Sequence, residues 1–143
     1  MRPARFHIMK RTLDSYQDLK VWQVGMTLVL DSYRVCARFP RREAYGLAGQ
    51  IQRAAVSVPA NIAEGYGRAY RGDYLRYLSV ANGSLKEWET EMLIAGHLGY
   101  VPNDEMRTLM LAATELGRML RGLSASLRRP SSPPTPSHPT PAF

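Results

Sequence analysis

Cysteine is almost absent: Cys36 stands alone among 143 residues, so no disulfide can close within the chain and no cysteine-based zinc site can be built. The expected setting is a reducing cytoplasm. Long apolar runs are missing as well. Uncharged stretches such as Val21 to Leu30 fall well short of the roughly 20 apolar residues that span a bilayer, and Arg2, Arg5, Lys10, Arg11, Asp14 and Asp18 break up the first twenty positions, leaving no core for a signal peptide. A soluble protein without a membrane partner is expected. Histidine is scarce, and a carboxylate-bridged metal pair in a helical bundle needs Glu three residues before His on two helices. The position three before His97 is Ile94, and His7 and His138 lie near the chain ends. With no metal ligand set and no nucleophile paired to a base, neither a cofactor nor catalysis is expected. Strand-type alternation is also lacking throughout.

What the chain has in excess is positive charge: 19 Lys and Arg against 12 Asp and Glu, for a formal net charge of +7. Polyanions are favoured as partners. After Arg129 the composition shifts to Pro, Ser and Thr, with six of the ten prolines, which reads as a disordered tail over 130–143. Residues 1–12 are expected to be loose, and 13–129 to form one domain with one core.

Within that domain the apolar residues keep helical spacing. Leu19, Trp22, Met26, Val29, Tyr33 and Cys36 mark a first helix ended by Pro40, and Leu47, Ile51, Ala55, Val58 and Ile62 a second. Tyr74, Leu78, Ala81, Leu85, Trp88, Met92 and Ala95 mark a third. Met106, Leu109, Ala113, Leu116, Leu120, Leu123 and Leu127 mark a fourth, with Asn103 as its expected N-cap. Pro59 interrupts the second helix without shifting its register and is expected to kink it. Short connections imply an all-α, antiparallel up-down-up-down four-helix bundle.

Three further patterns bear on function. Val21, Val24, Leu28 and Val35 form a second apolar stripe on the first helix, which suggests an oligomer interface unless both neighbours wrap that helix within one chain. Gln50, Arg53, Ser57, Asn61 and Glu64 on the second helix can meet Ser84, Glu87 and Glu91 on the third as a hydrogen-bonded, charge-paired seam, with Arg53 the expected partner of Glu87. Finally, "EGYGRAYRGDYLRYL" interleaves tyrosine with arginine, a mixture able to stack bases and neutralise phosphates. Tyr74 and Tyr77 fit the apolar face, leaving Tyr70 and the arginines for contact. An up-down-up-down path would gather Lys10, Arg11, Lys20, Arg68, Arg71, Arg76, Arg118, Arg121, Arg128 and Arg129 at one pole, against Asp14, Asp18, Glu64, Asp73 and Glu115. The other pole holds Arg38, Arg41 and Arg42, diluted by Glu43, Asp104 and Glu105.

The strings "DLKVWQ", "FPRREAYGLAGQIQRAAVSVPANIAEGYGR" and "NGSLKEWETEMLIAGHLGYV", in that order, resemble the four-helix bundle proteins encoded in 23S rRNA intervening sequences. The similarity covers about residues 14 to 127, and "NIAEGYGR" with "GSLKEWET" is its most specific part; the proline-rich tail is no part of the pattern. That family resembles in turn the accessory variability determinant of diversity-generating retroelements, a basic pentameric bundle that associates with a reverse transcriptase and nucleic acid. The resemblance implies a ring-shaped homo-oligomer, a pentamer, binding RNA or other nucleic acid and working beside a reverse transcriptase or on ribosomal RNA that carries an insertion. The alternative is a protein adaptor whose basic pole meets an acidic protein surface with no direct nucleic-acid contact.

Overall fold

The computed structural model describes residues 15–130. A 3-10 turn, Tyr16–Asp18, precedes α1, Lys20–Cys36; a second 3-10 turn, Arg41–Glu43, leads into α2, Leu47–Tyr66, followed by α3, Arg71–His97, and α4, Asn103–Arg128. The described residues are all-helical, with no strand. Asn103 is the first residue of α4 rather than its cap, which is Pro102 and makes no side-chain cap bond. Asp104 and Glu105 in that first turn meet the positive end of the helix dipole instead. α2 continues without interruption through Pro59.

Local chemistry sets the helix ends and crossings. Gly99 adopts a φ of 80°, and Tyr100 N–H donates to Ala95 O while Gly99 N–H donates to Gly96 O, the paired bonds of a Schellman stop, for which glycine is the natural residue. At Gly65 an added Cβ would lie 2.8 Å from both Tyr74 Cδ2 and Tyr77 Cβ. The α2–α3 crossing therefore requires a glycine.

One core joins all four helices. Trp88, Ile51, Ile62, Leu78, Leu85, Met92, Leu116 and Leu120 are fully buried. α1 packs on α2 and α4, α2 on α3, and α3 on α4. Gly25 approaches Pro59, and Cys36 Sγ lies 3.9 Å from Ala48 O. Ser57 meets Ser84, and Gly96 meets Met106 where Gly117 meets Leu85. Trp88 Nε1 donates to Ser32 Oγ at 2.8 Å, and Ser32 Oγ donates to Leu28 O at 2.6 Å. That relay crosses the core diagonally from α3 to α1 and satisfies the buried indole N–H.

The relay fixes the face of α1, and this face differs from the expected one. Val21, Gly25, Leu28, Ser32 and Val35 are buried, so three of the four residues read as an oligomer interface are core, and Val24 packs against it. They are not available to a partner. The other stripe divides: Cys36 is buried and Leu19, Trp22 and Val29 pack against the core, while Tyr33 and its neighbour Leu30 are 49% and 57% exposed. Hydrophobicity undercounted the buried stripe because Gly25 and Ser32 contribute almost nothing to it. Gly25 is needed for close approach, and Ser32 for the indole.

Candidate nucleic-acid interface

The α2–α3 turn is built from tyrosine and arginine. Arg68 and Arg76 place their guanidinium carbons 4.9 and 4.7 Å from the centroid of the Tyr77 ring, and Arg68 Nη2 donates to the Tyr77 hydroxyl at 2.6 Å. A ring face attracts a cation without neutralising it. Among the described residues Arg76 thus meets no carboxylate, and Arg68 only the exposed Glu64 at 3.7 Å. Tyr66 meets Tyr74 edge to face at 6.3 Å. Burial, and secondarily Tyr66, raise the Tyr74 hydroxyl pKa, as befits a ring packed against the core. Tyr70, 75% exposed, and Arg71, the first residue of α3, project from the turn.

The α4 cations do not all behave alike. Arg118 is paired with Glu115 at 2.7 Å. Arg121 and Arg128 border a half-open cleft of about 250 Å³ between α3 and α4, completed by Leu75, Leu78, Ser79, Asn82, Leu120 and Ser124. The two therefore lie against the N-terminal half of α3, beside the arginine–tyrosine turn. Neither has a carboxylate or hydrogen-bond partner among the described residues. Asn82 Oδ1 in the same cleft is buried with no hydrogen bond, a position that costs about 1–3 kcal/mol when left unpaired. Lys20 begins α1 and is exposed, but no contact ties it to this group. Lys10 and Arg11 lie outside the described residues.

The seam between α2 and α3 divides in two. Ser57 and Ser84 hydroxyls are 2.7 Å apart, and Asn61 Nδ2 donates to Ser57 O and Oγ at 2.7 and 2.9 Å. Further along, Glu91 is 6% exposed with Oε2 unpartnered. Burial, then the hydrogen bond and charge of Glu87, push its carboxyl up to about 7 against the opposing influence of Arg53. Glu87 thus bonds another carboxyl rather than the guanidinium expected for it. Gln50 and Glu64 are exposed and join neither half, because their positions on α2 face past α3.

At the other end of the bundle part of the basic charge is paired. Arg38 is ion-paired with Glu105, and Glu43 accepts from Leu47 N–H at 3.1 Å and from the Tyr100 hydroxyl at 3.2 Å. Arg41 and Arg42 are exposed, and beside them Tyr45 is 99% exposed. Tyr45 escaped sequence reasoning because it lies between helices, outside any periodic pattern. A fully solvated ring three residues after an Arg-Arg pair is the signal that was there to use. Nearby, burial pushes the Cys36 thiol up to about 11, which removes it as a nucleophile.

His97 Nδ1 donates to Leu93 O at 2.8 Å. Among the described residues no group of three or more His, Cys, Asp or Glu is placed to hold a metal, and no helix is long and apolar enough to cross a membrane.

The fold is shared with a crystal structure from Bacteroides thetaiotaomicron, a protein of unknown function from the S23 ribosomal protein family. The two chains are 18% identical, with a TM-score of 0.69 over 73% of this chain and 95% of that one; at that identity the likeness speaks for the fold alone. A search of curated proteins finds no significant match. The family model for 23S rRNA-intervening sequence protein matches residues 17–122, which takes in all of α1 to α3 and most of α4. This chain belongs to the 23S rRNA-intervening sequence protein family.

Proposed function

We propose that this protein is a non-catalytic, oligomeric binding module that takes RNA on the face formed by the α2–α3 turn and the C-terminal half of α4. The observation that carries the reading is the arginine–tyrosine turn. Arg68 and Arg76 are held on the Tyr77 ring with Tyr70 and Arg71 exposed beside them, so cations for phosphate and a ring for stacking occupy one patch.

An up-down-up-down path is part of the proposal. It is supported by the descending register of contacts: 25 with 59 and 36 with 48 between α1 and α2, and 96 with 106 and 85 with 117 between α3 and α4. Assembly into a ring, a pentamer on the family resemblance, is the other part. The face available for it is the outer stripe of α1, with Leu30 and Tyr33 exposed, rather than the stripe now in the core. Such a ring would repeat the basic patch around one rim and turn weak phosphate contacts into a multivalent site. Action beside a reverse transcriptase, or on ribosomal RNA carrying an insertion, is the role that the resemblance supports.

The test is retention of single-stranded RNA by the purified protein across a salt series, with its mass measured by light scattering. The expected result is a mass several times that of the chain, and affinity falling on a log-log plot with a slope near 0.7 for each phosphate neutralised. Salt-independent or absent RNA binding by an oligomer would favour the adaptor reading. A monomer mass would remove the ring.

A further inference from the structure

The connection between α1 and α2 is held more firmly than a link between two helices needs. Phe39 is buried, and its ring packs on that of Tyr100 at 5.2 Å between centroids. The Glu43 carboxylate accepts from Leu47 N–H and from the Tyr100 hydroxyl, while Glu43 N–H donates to Pro40 O, Ala44 N–H to Arg41 O and Gly46 N–H to Glu43 O. The turn is thus fixed at both ends and along its backbone. Three of its side chains nevertheless stand in water. Arg41 and Arg42 are exposed and Tyr45 almost entirely so, and none of the three has a hydrogen-bond, ion-pair or ring partner among the described residues. Tyrosine and arginine are the residues that most often carry binding energy at protein contacts, and a backbone already fixed lowers the entropy lost when they are covered.

A cleft of about 270 Å³ opens between the end of α1, this turn and the start of α2. Buried Cys36, Phe39 and Ala48 form its floor, Ala37 and Ala44 are exposed at its rim, and Arg41 and Gln52 supply its polar groups. Its volume is below the roughly 300 Å³ at which pockets for drug-sized molecules begin, which suits a single apolar side chain. The surroundings decide between classes of partner. A nucleic-acid strand presents phosphates and polar base edges, to which an apolar floor offers little, and Asp104 and Glu105 in the first turn of α4, where Glu105 holds Arg38, oppose an extended polyanion. A peptide with one apolar residue between carboxylates is matched by both the floor and the unpaired arginines.

We propose that the cleft at the α1–α2 turn docks an acidic peptide segment of a partner protein, with one aromatic or aliphatic side chain in the cleft, its flanking carboxylates on Arg41 and Arg42, and Tyr45 packed against the peptide. The proposal does not rest on the RNA-binding reading, whose residues Arg68, Arg71 and Arg76 lie past the other end of α2. The two sites are separated by about 30 Å, the length of this 20-residue helix. One chain can therefore hold RNA and a protein at the same time.

The probe is the peptide acetyl-Glu-Glu-Phe-Glu-Glu-amide, titrated into the full chain at low salt and followed by calorimetry. Saturable binding is expected, weakened about tenfold when the Phe of the peptide is replaced by Ala, the low end of what burying a phenylalanine side chain supplies. Replacing its Glu residues by Gln, or raising the salt, should weaken it as well. On the protein, Ala37→Trp fills the cleft from its exposed rim, and Arg41→Ala with Arg42→Ala removes the cations. Each should abolish peptide binding while helical content, oligomer mass and affinity for single-stranded RNA stay at the wild-type values. Absence of peptide binding by the wild type, or binding that the altered peptides or the protein variants leave unchanged, overturns the proposal. A fall in oligomer mass for Ala37→Trp overturns it in favour of a second copy of this chain in the cleft, and a loss of RNA affinity in either variant overturns it in favour of RNA.

Discussion

The two ends of the bundle carry arginine in different numbers and treat it differently. At the end holding Pro40 and the start of α4, Arg38 is paired with Glu105. Glu43 is engaged by Leu47 and Tyr100, and the buried carboxyl of Glu91, beside the exposed Glu87, lies toward this end within reach of Arg53. At the end holding the α2–α3 turn, Arg68 and Arg76 rest on an aromatic face, and Arg121 and Arg128 meet no carboxylate among the described residues. The number of cations and their pairing thus differ together between the ends. What sets the capacity to bind an anion is whether each cation already has one, and an aromatic ring positions a guanidinium at a stabilisation of about 0.5–1 kcal/mol without neutralising it.

The change that should break the contrast most severely is Gly65→Leu. With Cβ already 2.8 Å from Tyr74 and Tyr77, a leucine forces α2 and α3 apart at the turn, and overpacking of this kind costs about 3 kcal/mol. Thermal unfolding should register that loss, and RNA affinity should fall with it because Tyr77 no longer presents Arg68 and Arg76. An unchanged midpoint would mean that the crossing is looser than drawn.

The next effect concerns the acidic end. Glu91 is raised from the ordinary 4.5 to about 7, so between those values the folded state holds a proton that the unfolded chain has released. The contribution is complete below about pH 4.5 and is lost as pH rises through 7, amounting to up to about 3 kcal/mol at one pK unit per 1.36 kcal/mol. Glu91→Gln should flatten this dependence and make the protein more stable than wild type at alkaline pH. Denaturant midpoints on either side of the window check it; parallel curves for the two proteins would contradict a protonated Glu91.

Of the fold, the number, extent and core positions of α2, α3 and α4 were legible in the sequence, because leucine, isoleucine and tryptophan recur there at helical spacing. The facing of α1 was not. Its core positions include Gly25 and Ser32, whose value lies in a close approach to Pro59 and a hydrogen bond to Trp88, and neither purpose is visible until the partner helix is in place. In the candidate site, the arginine–tyrosine turn was legible as local composition. The pairing of Arg121 and Arg128 with Ser79 and Asn82 was not, since it joins segments about forty residues apart. Tyr45 was overlooked because exposure, unlike burial, leaves no period in the sequence.

The smallest expected effect sharpens the comparison from the paired side. Glu105→Gln should free Arg38 at little cost in stability, because an ion pair this exposed is screened by solvent. It should also add a fraction of one phosphate contact to the salt slope. A fall in RNA affinity instead would show that Glu105 helps to position the bound strand.

The central claim is that the cations of the arginine–tyrosine turn, and not those at the end holding Pro40, bind RNA. Salt-dependent affinity for single-stranded RNA tests it, measured for Arg68→Ala with Arg71→Ala and Arg76→Ala against Arg38→Ala with Arg41→Ala and Arg42→Ala. The first set should weaken binding across unrelated sequences and flatten the slope by up to about 2, at roughly 0.7 per phosphate, with helical content and oligomer mass unchanged, while the second set leaves the slope near the wild-type value. Loss of binding in the second set with the first unaffected would contradict the account and move the site to the end that holds Tyr45.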